Sequence, residues 1–95
     1  MSAPTVSVAW VAPSTYLDEP EAVDAWVELT SACGRFRAEG EVTLTRDPDG
    51  ELIPSDTDPQ GWASGGLQDL LAGEAGEGLA WVIVRAVRTY GKRGD

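Results

Sequence analysis

Apolar and polar positions alternate through much of the first half of the chain. From Thr5 to Val11, Val6, Val8 and Trp10 alternate with Thr5, Ser7, Ala9 and Val11, the period of two expected of a strand, and Pro4 and Pro13 bracket the run. Pro13 to Pro20 reads as a loop with Tyr16 and Leu17 tucked against the core. Arg35 to Arg46 is the clearest strand. Phe36, Ala38, Gly40, Val42 and Leu44 fall on one face and Arg35, Arg37, Glu39, Glu41, Thr43 and Thr45 on the other, so one face packs and the other meets solvent. Gly40 in mid-strand predicts a bulge or bend. Asp47-Pro48-Asp49-Gly50 turns the chain, and Glu51, Leu52 and Ile53 pair back as a short strand.

Two segments carry both periods. In Glu21 to Cys33, the residues Ala22, Val23, Trp26, Leu29 and Cys33 fall at helical spacing, behind a capping box of Asp18 and Glu21, with Pro20 in the first turn and Gly34 as a stop. Against this, Val27, Leu29 and Ser31 alternate with Trp26, Glu28 and Thr30, and the segment runs across a glycine break into the next strand. The strand is the favoured reading. In Leu79 to Tyr90 the preference is reversed. A helix places Leu79, Val82, Ile83, Ala86, Val87 and Tyr90 on one face, Glu74 and Glu77 near its start, and Arg85, Arg88 and Lys92 toward its end, as the helix dipole prefers. The β-branched run Val82-Ile83-Val84 keeps a final strand as the alternative.

Pro54 to Gly66 is turn chemistry throughout, with Trp62 as a lid on the core edge. Ser64 caps a short helix that ends at Ala72, before Gly73. The expected fold is therefore α+β: a small antiparallel sheet of three or four strands (about residues 5–12, 24–32, 35–46 and 50–53) covered by two C-terminal helices (about 64–72 and 77–91), in a single compact domain over residues 1–95.

Composition supports one core and no more. The chain has 95 residues, 42% of them apolar, with four Trp, which is too apolar for wholesale disorder and too short for a second domain. Charge changes the picture more. There are 16 acidic and 7 basic residues, a net −9, and no Lys or Arg from Met1 to Gly34, whereas Arg85, Arg88, Lys92 and Arg93 gather near the end. This balance repels nucleic acid and anionic membrane and steers the protein toward basic surfaces; the competing reading is a solvated, solubilising surface. The basic residues, Arg35 and Arg37 included, are expected to pair with the chain's own carboxylates. With no His and Cys33 alone, neither an internal disulfide nor an ordinary zinc site is available. No signal-like basic segment opens the chain, and no apolar run approaches the ~20 residues needed to cross a bilayer. A cytoplasmic protein is expected.

Candidate chemistry is thin. Asp56-Thr57-Asp58-Pro59-Gln60-Gly61 matches the start of a calcium loop, but Leu67 stands where the bidentate Glu belongs, and a solvated turn is favoured. The glycines of 61–66 lack a lysine, and those of 73–78 flank Glu74 and Glu77, which repel phosphate. Cys33 has no histidine to activate it. Carboxylate pairs such as Glu39/Glu41 and Asp56/Asp58 arise by chance among 16 acids. Neither enzymatic activity, metal nor cofactor is expected.

What remains is a non-enzymatic acidic protein-binding domain whose partner is a protein with a basic surface. In its sharpest form it is a small inhibitor that blocks a basic or nucleic-acid-binding surface by placing carboxylates where phosphates would lie, without touching nucleic acid itself. Glu39, Glu41, Asp47, Asp49, Glu51, Asp56 and Asp58 are the carboxylates expected to make the contact. In size and charge, as a compact acidic chain of hairpins and short helices, the protein resembles the small phage-encoded inhibitors of bacterial defence systems, including anti-CRISPR proteins. That resemblance implies a DNA-mimicking mode of action. The alternative is a structural or assembly subunit of a homo-oligomer or of a phage or cellular complex, joined through an exposed sheet edge or the Trp62/Trp81 surface.

Overall fold

The sheet forms where alternation is strongest. The structure, a computed structural model, describes residues 4–15, 21–31, 34, 35, 37–74 and 76–93, of which 91–93 are described as backbone alone. Tyr16, Leu17, Cys33, Phe36 and the Asp18 half of the expected capping box lie outside the described residues. Four strands, β1 (Thr5–Pro13), β2 (Val23–Thr30), β3 (Arg37–Arg46) and β4 (Leu52–Pro54), form one antiparallel sheet in the order β1-β2-β3-β4. Three helices follow: α1 (Pro59–Trp62), α2 (Gly65–Leu71) and α3 (Gly76–Arg93). The short α1 is a turn more than expected, and Pro59, whose ring presets a helical φ, stands at its start.

The contested segment is a strand. A helix would leave Ala25 and Val27 off its apolar stripe. Between β1 and β3 both are fully buried, beside Leu29, with Val23 opposite Leu44, Ala25 opposite Val42 and Leu29 opposite Ala38. Pairing on both sides therefore buries Ala25 and Val27 together with Leu29, where a helix would leave the first two off its apolar face.

Two details of the strands differ from expectation. The bulge lies at Ala9 in β1, where the register shifts between Val8 and Trp10; beyond it Val11 joins Val6 and Val8 on the packed face, and Trp10 turns to the opposite face. At Gly40 there is no bulge, and pairing with β2 runs unbroken from Val23 opposite Leu44 to Thr30 opposite Arg37. Gly40 instead admits a neighbouring backbone: a Cβ there would sit 2.1 Å from the carbonyl oxygen of Ser64.

Ser64 precedes α2 but its hydroxyl does not cap it. The Glu41 N–H donates to Ser64 Oγ (3.0 Å), Ser64 Oγ donates back to the Glu41 carbonyl (3.1 Å), and the Ser64 N–H reaches the same carbonyl (3.0 Å). With the Val42–Ala63 bridge, this closes the outer edge of β3 beyond β4. α2 packs on β3, while α3 lies against β1, β2 and β4. The buried stripe of α3 is Ile83, Val84 and Val87, with Leu79 and Ala80 beside it, so the packed face is rotated from the expected one and Tyr90 is exposed. Arg88 fixes α3 to β4, its guanidinium donating twice to the Leu52 carbonyl (3.1 and 2.6 Å). The core of Ala25, Val27, Leu29, Val42, Leu44, Trp62, Leu67, Leu71, Ile83, Val84 and Val87 thus lies on one side of the sheet.

Candidate functional site

The other side of the sheet carries no described helix, and its residues form rows that cross the strands. Trp10 stands opposite Trp26, and Trp26 opposite Glu41. In the next row Ser7, Glu28 and Glu39 line up, and beyond them Thr5, Thr30 and Arg37. Trp10 is 40% exposed and Glu39 exposed, while Trp26, Glu28 and Glu41 are half-buried. Two indole rings thus lie beside three carboxylates on the face that no described helix covers. Among the carboxylates only Glu28 has a described ion-pair partner, Arg37.

Glu28 directly opposite Glu39 is a local cost, because like charges facing across an antiparallel pair destabilise it. Glu39→Gln is therefore expected to raise stability by about 0.2–1 kcal/mol, read as a higher urea midpoint at unchanged slope. An unchanged or lower midpoint would mean that Arg37 already neutralises the pair.

At the end of the same face Asp24 is 3% exposed and fully engaged. Thr15 N–H and Thr15 Oγ1 donate to its Oδ2 (3.0 and 3.3 Å), and Thr43 Oγ1 donates to its Oδ1 (3.0 Å). This side chain ties the β1–β2 connection to β3 and is structural, as a buried polar group must be hydrogen-bonded to be tolerated. Among the described residues no buried polar side-chain atom lacks a partner.

The carboxylates singled out in the sequence separate into three places. Glu39 and Glu41 lie on the open face as expected of their strand positions. Asp47, Asp49 and Glu51 lie at the β3–β4 turn. There Asp47 Oδ1 accepts the N–H groups of Asp49 and Glu51 (2.9 Å each), which orders the turn, and Glu51 stands 3.6 Å from Arg88 Nε. Asp56 and Asp58 precede α1, and Asp56 Oδ1 accepts the Asp58 N–H (3.1 Å), a local turn contact. Among the described residues no group of three or more potential ligands is placed to hold a metal ion.

Glu28, Trp10 and Trp26 were not among the expected contact residues. Glu28 and Trp26 belong to the segment whose period was ambiguous, and Trp10 changes face only through the Ala9 bulge. Trp62, expected as a lid, is 5% exposed and belongs to the core, so of the Trp62/Trp81 pair only Trp81, 48% exposed, offers substantial surface.

Comparison with protein-family models, curated proteins and solved structures finds no match for this chain. The fold places it among small α+β domains, with a four-stranded antiparallel sheet and C-terminal helices. No described helix is long and apolar enough to cross a membrane.

Proposed function

We propose that this is a non-enzymatic protein-binding domain that sets the open face of its sheet against a basic surface of a partner, acting as a small inhibitor of a nucleic-acid-binding protein in the cytoplasm. The observation that carries the reading is the grouping of Glu28, Glu39 and Glu41 beside Trp10 and Trp26 on the side of the sheet that no described helix covers. Carboxylates in rows supply the charge complementarity, and indole rings supply the apolar anchors typical of protein interfaces. The cost of placing Glu28 opposite Glu39 fits a surface shaped by binding rather than by stability.

The test is capture of a partner from source-cell extract at low salt. Binding should fall steeply between ~0.05 and ~0.5 M salt, and the triple variant E28Q/E39Q/E41Q should bind about 10- to 100-fold more weakly. A partner held equally by the variant and at high salt would overturn the reading.

One observation favours a second reading, an assembly subunit. β1 is an edge strand of nine residues, and Thr5–Pro13 has no charged side chain in a chain of net charge −9. Such an edge pairs readily with another strand. A solution mass that stays monomeric at high concentration removes the homo-oligomer version.

A further inference from the structure

Two uncharged surfaces lie side by side at one edge of the molecule. The first is the outer edge of β1, which no described strand pairs, and the Ala9 bulge bends this strand without ending it. Nine residues thus present a long row of outward backbone groups with none of the charged side chains that usually blunt such an edge. The second is a flank of α3. Arg88 and Trp81 mark the flank toward β4, since Arg88 donates to the Leu52 carbonyl and Trp81 lies by Ile53 and Pro54. As β1 and β4 are opposite edges of the sheet, the flank turned away from β4 runs along β1. Leu79, Val82, Ala86 and Tyr90 share it at helical spacing, with no charged residue among them. Leu79 packs on the core, Val82 and Ala86 are half-buried outside it, and Tyr90 is 39% exposed. The core therefore uses only part of the apolar stripe, and the remainder lies beside an open strand edge. The opposite edge of the sheet is closed. β4 has three residues, one of them Pro54, Arg88 occupies the Leu52 carbonyl, and Ser64 and the Val42–Ala63 bridge seal β3 beyond it.

We infer that β1 pairs antiparallel with β1 of a second copy about a two-fold axis perpendicular to the sheet, and that the Val82, Ala86 and Tyr90 flanks of the two α3 helices pack together beside it. The inference rests on the assembly reading and specifies which surface assembles and with what. Charge favours this occupant, because each copy carries a net −9 and here two copies meet without setting carboxylate against carboxylate. The edge and the flank together span about 30 by 20 Å, roughly 600 Å² per copy and ~1,200 Å² in all, the lower end for a specific interface. Because the β4 edge is closed, assembly stops at two copies instead of growing into a fibre. The perpendicular axis keeps the Glu28, Glu39 and Glu41 rows of both copies on one side of a joined sheet, the side that no described helix covers.

The experiment is sedimentation equilibrium of the full chain from ~10 µM to ~1 mM, with amide hydrogen exchange measured at both ends of that range. The expected mass rises from the 10.1 kDa of one chain toward twice that value and stops there, while the outward amides of β1 gain protection. Association should tighten between ~0.05 and ~0.5 M salt, because screening relieves the repulsion of two acidic copies whose contact carries no charge. S7K and Y90K should each weaken it about tenfold, and Trp81→Ala, on the opposite flank, should leave it unchanged. Both lysines suit the folded chain, since Ser7 is exposed opposite Glu28 and Tyr90 is exposed near the end of α3, where a cation complements the helix dipole. A chain still monomeric at ~1 mM overturns the inference together with the homo-oligomer version of the assembly reading. A dimer whose β1 amides gain no protection, or that Trp81→Ala weakens as much as Y90K does, overturns the inference and leaves that version standing. Masses beyond two copies overturn the two-fold pairing.

Discussion

Trp62→Ala is expected to lower the unfolding free energy by about 3–5 kcal/mol, the cost of removing a large aromatic side chain from a packed core. Trp62 is 5% exposed and sits among the buried residues that join the sheet to α2 and α3. Domains of this size are stable by only about 5–15 kcal/mol, so the variant should be near its midpoint at modest urea concentrations. Trp81→Ala is the matched control. That ring is 48% exposed and its described ring contact is a cation over its face, so the change should cost about 1 kcal/mol or less. Circular dichroism during urea unfolding measures both. Equal losses would mean that Trp62 does not anchor the helices to the sheet.

Gly40→Ala should cost about 3 kcal/mol, the upper end of what overpacking usually costs. The new methyl group would lie 2.1 Å from the Ser64 oxygen and 2.9 Å from the Ser64 carbonyl carbon. Both are backbone atoms, so no side chain can swing away. Relief requires β3 to part from the 63–64 segment, which breaks the Ser64 hydrogen bonds to Glu41 and the Val42–Ala63 bridge and displaces α2, whose Leu67 is fully buried. Gly78→Ala provides the opposite sign. Nothing lies within 4 Å of a Cβ there, and the residue is inside α3, so alanine should stabilise by about 0.5–1 kcal/mol through the reduced backbone entropy of the unfolded chain. Loss at both positions would indicate a general intolerance of change rather than the close approach at Gly40.

Much of the fold was legible because side chains in a half-buried strand must alternate. Val42 and Leu44 inward with Glu39, Glu41 and Thr43 on the other face follow from period two alone, and so do Val27 and Leu29 once β2 is read as a strand. α3 was legible as a helix, but its rotation was not: Val84 rather than Tyr90 is buried because the sheet and α2 decide which part of a wide apolar stripe meets the core. α1 was hidden in a segment of turn residues, where Trp62 alone signalled contact with the core.

The candidate site divides in the same way. Glu39 and Glu41 could be placed on an exposed strand face from their spacing, and the acidic balance of the chain needs no structure at all. Glu28 beside Glu39, and Trp10 beside Trp26, depend on strand register and on one extra residue at Ala9, and no single stretch of sequence contains either pairing. Asp47, equally acidic in sequence, is engaged by its own turn through hydrogen bonds to Asp49 and Glu51. By itself the sequence determined an acidic α+β domain with a two-faced central strand, because composition and period are local properties. Only the tertiary structure decided which face stays open and which carboxylates gather beside indole rings, because those follow from pairings between residues distant in the chain.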